Sequence, residues 1–145
     1  MADRKELLGL TCQELRNYVE SLGQRPFHGK QIYDSIYRQR IFTFDRFTGL
    51  SRALRGLLSE NASLSLPIVY TRQISRDGTI KFLFQLADNQ KIESVFIPEE
   101  RRDTLCISTQ VGCPMDCQFC LTALLGFTRN LTSGEIVARR HGEME

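Results

Sequence analysis

The chain has 145 residues, of which 41% are hydrophobic and 25% charged, a composition typical of an ordinary folded domain. A formal net charge of +2 is too small to indicate nucleic-acid binding by itself. No apolar segment approaches the roughly 18 residues that span a bilayer, and the N-terminus has no signal-type apolar core. We therefore expect a cytoplasmic protein without membrane segments.

The first 62 residues predict a helical domain. Thr11 and Glu14 have the spacing of a capping box, and the following segment carries apolar residues at helical intervals over about 12–22. Amphipathic patterns predict two further helices, over residues 31–40 and 51–61. Residues 1–62 are thus expected to form a small helical bundle.

Residues 63–103 predict a small antiparallel sheet. Segments 68–71 and 79–86 are rich in residues favoured in strands and flank a turn at 76–78. The segment 91–97 alternates polar and apolar residues, as a half-buried strand does. The middle of the chain is therefore expected to be a hairpin extended by a third strand.

The last domain, residues 104–145, begins with a predicted strand over 104–109 and ends in a helix that starts at Ser133. Between these two elements lies a loop rich in cysteine. The predicted fold class is therefore α+β, with a helical bundle, then a small antiparallel sheet, then one β-loop-α unit.

Four of the five cysteines lie in the fifteen residues from Cys106 to Cys120, which indicates metal or redox chemistry rather than disulfides. Cys113, Cys117 and Cys120 have the spacing C-x3-C-x2-C. Three thiolates leave one iron of a four-iron cluster open for another ligand. A structural zinc completed by Cys106 or His141, or plain unligated thiols, are the alternatives.

An aromatic residue, Phe119, directly precedes the last of these cysteines, and the pattern resembles the cluster loop of radical S-adenosylmethionine enzymes. The resemblance implies that Cys113, Cys117 and Cys120 hold a 4Fe-4S cluster whose open iron binds S-adenosylmethionine. It also implies that Phe119 packs near the adenine of that cofactor. One electron from the cluster then cleaves the sulfonium and gives a 5′-deoxyadenosyl radical.

A narrower resemblance covers nearly the whole chain. The dual-specificity adenine C-2 methyltransferases of 23S ribosomal RNA and transfer RNA are similar to this chain at residues 7–10, 23–27, 31–33, 77–81, 104–106, 108–113, 126–131 and 134–136. This resemblance implies an RNA-binding helical accessory domain, a following hairpin, and the first β-loop-α unit of an incomplete radical S-adenosylmethionine (β/α) barrel. It implies 23S rRNA and tRNA as substrates, and an electron donor such as flavodoxin or ferredoxin.

Two further residues receive catalytic roles from this resemblance. Cys106 matches a cysteine that helps to resolve a covalent RNA–protein adduct, and Glu93 matches a glutamate near the substrate adenine. The alternative interpretation of Cys106 is a small buried strand residue. Glu93 lies on an alternating strand, where a glutamate usually belongs to the solvated face.

Basic residues of the helical domain are candidates for RNA backbone contacts, although a solvated face is the commoner role for such residues. They are Arg25, Lys30, Arg38, Arg40, Arg46, Arg52 and Arg55. Only about 40 residues follow the strand that bears Cys106, whereas a full barrel takes ~200. We therefore expect a fragment without turnover of its own, the alternative being a non-catalytic RNA-binding or zinc-binding module. The sequence does not predict an oligomeric state.

Overall fold

The computed structural model describes residues 4–115 and 117–142. The chain divides into two compact units, and the division falls between Ser65 and Leu66. The sequence places its own first boundary after residue 62. Within the described residues, no helix has both the length and the apolar character needed to cross a membrane.

Three helices and a short parallel strand pair make up the first unit. In chain order they are β1 (Lys5–Glu6), α1 (Cys12–Ser21), α2 (Phe27–Tyr37), α3 (Arg52–Asn61) and β2 (Ala62–Ser63), with a 3-10 turn at Phe44–Arg46 before α3. The capping box is confirmed: the Glu14 backbone N–H donates to Thr11 Oγ1 at 3.3 Å, and the Thr11 N–H donates to Glu14 Oε2 at 2.7 Å.

Helix α2 differs from its prediction, because it begins at Phe27 and ends at Tyr37 rather than covering 31–40. Pro26 precedes it with φ −56°, a value already suited to a helical first turn. The earlier start brings Gly29 against α1, where an added Cβ would lie 2.4 Å from the Arg16 backbone nitrogen. Glycine therefore permits the close approach of the two helices.

The core of the first unit consists of the apolar faces of its helices and of the turn between α2 and α3. The apolar residues of this unit with 0–1% exposure are Leu7, Leu15, Val19, Ile32, Ile36, Phe47, Leu58 and Ala62. Their spacing within each helix is that of one buried stripe. The predicted helical bundle is thus present, with the β1–β2 pair as an addition that the sequence pattern did not predict.

The second unit contains a four-stranded antiparallel sheet followed by a hairpin and two helices. Its elements are β3 (Ile68–Ile74), β4 (Ile80–Gln85), β5 (Lys91–Pro98), β6 (Asp103–Ile107), β7 (Gln110–Gly112), α4 (Leu121–Leu124), β8 (Phe127–Asn130) and α5 (Ser133–Gly142). The strand order in the sheet is β3-β4-β5-β6, and β7 pairs with β8. The predicted α+β class and the predicted sheet are both present.

One face of this sheet supplies the core of the second unit. Alternate residues of β4 and β5, Phe82, Phe84 and Ile92, are buried on it, and Val111 and Leu131 pack against them. Val111 belongs to β7, and Leu131 directly follows β8. The β7–β8 hairpin is therefore fixed to the sheet through apolar contacts at its base.

Candidate metal centre and neighbouring sheet face

The three cysteines of the C-x3-C-x2-C motif lie in the loop that joins β7 to β8, residues 113–126, here called the cysteine loop. Its two ends approach very closely. The Cys113 N–H donates to the Gly126 carbonyl at 3.1 Å, and a Cβ added to Gly112 would lie 1.7 Å from that same oxygen. Gly112 also has φ +76°, a conformation that favours glycine. Only glycine fits at this point of the loop's stem.

Within the cysteine loop, the three cysteines are free and half-buried. A turn links two of them, because the Cys120 N–H donates to the Cys117 carbonyl at 3.2 Å. Cys120 immediately precedes α4, and hydrogen bonds from the backbone N–H groups of Ala123 and Thr122 hold the pKa of its thiol below the ordinary value. The thiolate is the form of cysteine that binds metals.

The chemistry of this donor set fits an iron–sulfur cluster, since three accessible thiols lie on one short loop whose ends are joined. Their side chains do not converge: among the described residues, no group of three Cys, His, Asp or Glu side chains is arranged to hold a metal ion. His141, considered as a zinc ligand from the sequence, lies outside the residues whose side chains are described. The ligand set stays a prediction.

Large apolar side chains project from the cysteine loop into solvent. The exposed fraction of Phe119, the predicted cofactor contact, is 93%. Met115, Leu121, Leu124 and Leu125 are 71–82% exposed. Soluble proteins rarely expose apolar residues in such a group unless these residues contact a ligand or another polypeptide segment.

Glu93 and Cys106, the two candidate catalytic residues, lie on the sheet face opposite the core. Leu83 pairs with Glu93 and Val95 with Cys106, so that Glu93, two residues before Val95, shares the face of Cys106. Residues in this diagonal relation have Cα atoms roughly 7–8 Å apart. The Cys106 thiol is free and exposed. The structure therefore brings the two residues near one another.

A third residue of this face, Lys81, was missed by the sequence analysis. Its Nζ lies 2.7 Å from Glu93 Oε1, and both side chains are about half exposed. The two residues also line a cavity of about 110 Å³ together with Thr71, Gln73 and Leu83. Because Lys81 and Glu93 belong to different strands, the strand register, which the sequence does not specify, was needed to find the pair.

A network of charges at the base of the β7–β8 hairpin was also missed. The Arg129 guanidinium donates to both carboxylate oxygens of Glu135, at 2.9 and 2.8 Å, and its Nε donates to Asp88 at 2.8 Å. These hydrogen bonds from Arg129 hold the pKa of Glu135 below its ordinary value against the opposing effect of burial. Bidentate contacts of this kind are among the stronger charged interactions.

Residues 5–64 match the family described as ribosomal RNA large subunit methyltransferase N-terminal domain. Over 139 residues, the chain is 46% identical to the dual-specificity RNA methyltransferase RlmN of Dichelobacter nodosus, a match that covers 96% of the chain and 38% of the relative. Residues 5–64 thus match the N-terminal domain of the RlmN family, and the chain as a whole is similar to the N-terminal portion of RlmN proteins. The RlmN of Halorhodospira halophila is likewise 46% identical over 136 residues, 94% of the chain and 38% of that protein.

A solved structure extends the similarity from sequence to fold. The crystal structure of a radical SAM methyltransferase from Sphaerobacter thermophilus matches with a TM-score of 0.83 and 37% identity, covering 97% of this chain and 43% of the other. The family resemblance stated from the motifs is thereby confirmed. The chain spans about 38% of the length of the curated RlmN relatives that it matches.

Proposed function

We propose that these residues serve in a radical S-adenosylmethionine enzyme that methylates carbon 2 of adenine in 23S rRNA and tRNA. The observation that carries the proposal is the occurrence of three free thiols on one closed loop within a chain that is similar to the N-terminal portion of RlmN proteins. In this proposal, β6, the cysteine loop and α5 belong to the first β-loop-α unit of the catalytic barrel.

Cys113, Cys117 and Cys120 are the proposed cluster ligands, and Phe119 the proposed contact for the adenine of S-adenosylmethionine. When bound, a 4Fe-4S cluster with an open iron supplies the electron that cleaves the sulfonium of this cofactor. The exposure of Phe119 supports its role, since a ring that is 93% exposed contributes nothing to the core and is available to a ligand.

Cys106 and Glu93 are the proposed catalytic residues at the RNA. Carbon 2 of adenine is electron-poor, so the methyl group is passed through a second, methylated cysteine, which becomes bonded to the RNA. Release of the product breaks that bond with the help of another thiol, and we assign this step to Cys106. Its exposure and its place on the same sheet face as Glu93 support the assignment. Lys81 orients the Glu93 carboxylate through their 2.7 Å ion pair.

The helical unit is the proposed region of RNA backbone contact. All but one of its seven candidate cations are exposed, the half-buried one being Arg55. Lys30 and Arg38 both pair with Asp34, at 2.6 and 3.2 Å, so Arg25, Arg46 and Arg52 are the stronger candidates for phosphate contacts. The electron for the cluster would come from a small donor protein such as flavodoxin or ferredoxin.

A chimera tests the proposed reaction. The 139 residues of this chain that match the Dichelobacter nodosus relative would replace the corresponding segment of that protein. The chimera would be expressed in cells that lack their own adenine C-2 methyltransferase. We expect 2-methyladenine in 23S rRNA and tRNA. Cys106→Ala should lower its amount by about tenfold or more and leave protein–RNA adduct that resists denaturation, while Cys12→Ala in α1 should match the parent chimera.

The absence of 2-methyladenine from both RNAs, in cells where the intact relative produces it, would refute the proposed reaction. Methylation of only one of the two RNAs would restrict the proposal to that substrate. If Cys106→Ala methylated as fast as the parent chimera and left no adduct, the role given to Cys106 would be wrong.

A further inference from the structure

Arg129 occupies a position from which it joins three parts of the second unit. Its own strand, β8, carries the chain out of the cysteine loop. Asp88, one of its two carboxylate partners, lies in the turn between β4 and β5, and Glu135, the other, lies in the first turn of α5. One guanidinium therefore fixes the end of the cysteine loop to both the sheet and the following helix.

Helix α5 also holds the segment that precedes β7, the strand that leads into the loop. Arg139, one turn beyond Glu135, is 1% exposed and donates through Nη2 to the Ser108 carbonyl at 2.5 Å. Ser108 lies between β6 and β7, just before the loop's entry strand, and its hydroxyl donates to the Glu93 carbonyl at 3.0 Å. The two contacts of α5 thus reach the segments before and after the cysteine loop.

The ion pairs of Arg129 are shielded from solvent, so they can stabilise the stem of the hairpin. The Arg129 and Glu135 side chains are 31% and 19% exposed, unlike the Arg102–Glu99 pair of the same unit, where Arg102 is 78% exposed. An isolated, exposed ion pair contributes little to stability. An arginine that binds one carboxylate through two hydrogen bonds and also pairs with a second carboxylate forms a network, which contributes more. Glu135 is itself held by the Thr132 N–H, which donates to it at 2.8 Å.

We infer that Arg129 is a positioning residue for the cysteine loop: through Asp88 and Glu135 it keeps the stem of the β7–β8 hairpin closed, so that Cys113, Cys117 and Cys120 stay within reach of one cluster. This inference rests on the proposed function in one respect, namely that the cysteine loop holds an iron–sulfur cluster. The closure of the stem itself can be measured on the metal-free chain.

Amide hydrogen exchange of the metal-free chain tests the closure. Two reporters lie at the stem: the Cys113 N–H, bonded to the Gly126 carbonyl, and the Leu131 N–H, bonded to the Thr109 carbonyl. Arg129→Met should accelerate both by about tenfold and leave the amides of β4 unchanged, because the effect is local. Arg129→Lys should restore part of the protection, and the matched control Arg102→Met should change neither set.

Anaerobic reconstitution with iron and sulfide then tests the consequence. Arg129→Met should bind about a third or less of the iron bound by the unchanged chain, with Arg129→Lys between them and Arg102→Met equal to the unchanged chain. If Arg129→Met does not fold, Asp88→Asn and Glu135→Gln, which each weaken one half of the network, replace it, and each should show a smaller effect in the same direction.

Unchanged exchange at Cys113 and Leu131 in these variants would overturn the inference. So would equal acceleration in β4, which would indicate a general loss of stability, or faster exchange at the stem with full iron content. If the unchanged chain binds no iron at all, the proposed function fails, whereas the exchange measurement still decides whether Arg129 closes the stem.

Discussion

The helical unit and the cysteine loop use their apolar residues in opposite ways. In the helical unit, residues such as Leu15, Ile36 and Phe47 are 0–1% exposed and form the core. In the cysteine loop, Phe119 and Leu125 are more than 80% exposed and contribute nothing to a core. Burial of apolar area stabilises the first region, whereas the second is held only at its stem, by the packing of Val111 and Leu131 and by hydrogen bonds and charges.

This difference separates residues that maintain the fold from residues that are available to ligands. A side chain at 0% exposure loses its packing when it is truncated, and the fold becomes less stable. A side chain at 93% exposure can be truncated without that loss, so a change in activity would report on contacts with a cofactor or substrate. Each prediction below compares a change with a matched control.

The largest expected effect compares two phenylalanines. Phe47→Ala should lower the free energy of unfolding of the helical unit by about 3–5 kcal/mol, because the fully buried ring leaves a cavity. Phe119→Ala should change stability by less than about 0.5 kcal/mol. Urea unfolding followed by circular dichroism measures both, and a destabilisation by Phe119→Ala equal to that of Phe47→Ala would contradict the comparison.

The next prediction concerns the stem of the cysteine loop and uses two glycines with similar backbone conformation, φ +76° at Gly112 and +71° at Gly126. Gly112→Ala should open the stem at a cost of roughly 2–4 kcal/mol, since its Cβ would overlap the Gly126 carbonyl. Gly126→Ala meets nothing within 4 Å and should cost only the backbone strain, about 1 kcal/mol. Exchange of the Cys113 amide and iron uptake distinguish the two variants.

In the helical unit, replacing two helical glycines by alanine should change the free energy of unfolding in opposite directions. Gly29→Ala should destabilise by about 1–3 kcal/mol, because its Cβ would lie 2.4 Å from the Arg16 nitrogen and force α1 and α2 apart. Gly56→Ala, in the exposed part of α3 with nothing within 4 Å, should stabilise by ~0.5–1 kcal/mol. Thermal unfolding of both variants checks the signs, and stabilisation by Gly29→Ala would refute the close helix contact.

The smallest predicted effect concerns the start of α1. Thr11→Ala removes the hydroxyl that accepts the Glu14 N–H and should cost about 1 kcal/mol. Thr48→Ala, an exposed threonine of the same unit that caps no helix, should be neutral within about 0.3 kcal/mol. The difference in urea midpoint between the two variants measures the capping box, and equal midpoints would show that the cap adds nothing.

The sequence predicts the elements that depend on local periodicity and misses those that depend on distant partners. Helix α1 and strands β4 and β5 follow from apolar spacing over six or more residues. The β1–β2 pair has two residues in each strand, too few to show a period. The β7–β8 hairpin has strands of three and four residues and is stabilised by residues elsewhere in the unit.

The residues of the candidate site also divide into those that a local sequence pattern predicts and those that depend on distant partners. The cysteine spacing is a local signal, and the family resemblance built on it is confirmed by the comparisons. The Lys81–Glu93 pair and the Arg129 network join residues on separate elements, and their partners could only be found from the strand register and the fold. The roles of Glu93, Cys106 and Phe119 stay predictions, and the Cys106→Ala variant above tests the role of Cys106.

The central claim is that Cys113, Cys117 and Cys120 hold a 4Fe-4S cluster with one open iron, and anaerobic reconstitution of the chain tests it most directly. We predict about four iron and four sulfide per chain, a cubane-type EPR signal on reduction that changes when S-adenosylmethionine is added, and loss of this signal in each of the three Cys→Ala variants but not in Cys12→Ala. Stoichiometric zinc without acid-labile sulfide, or full iron content in Cys117→Ala, would contradict it.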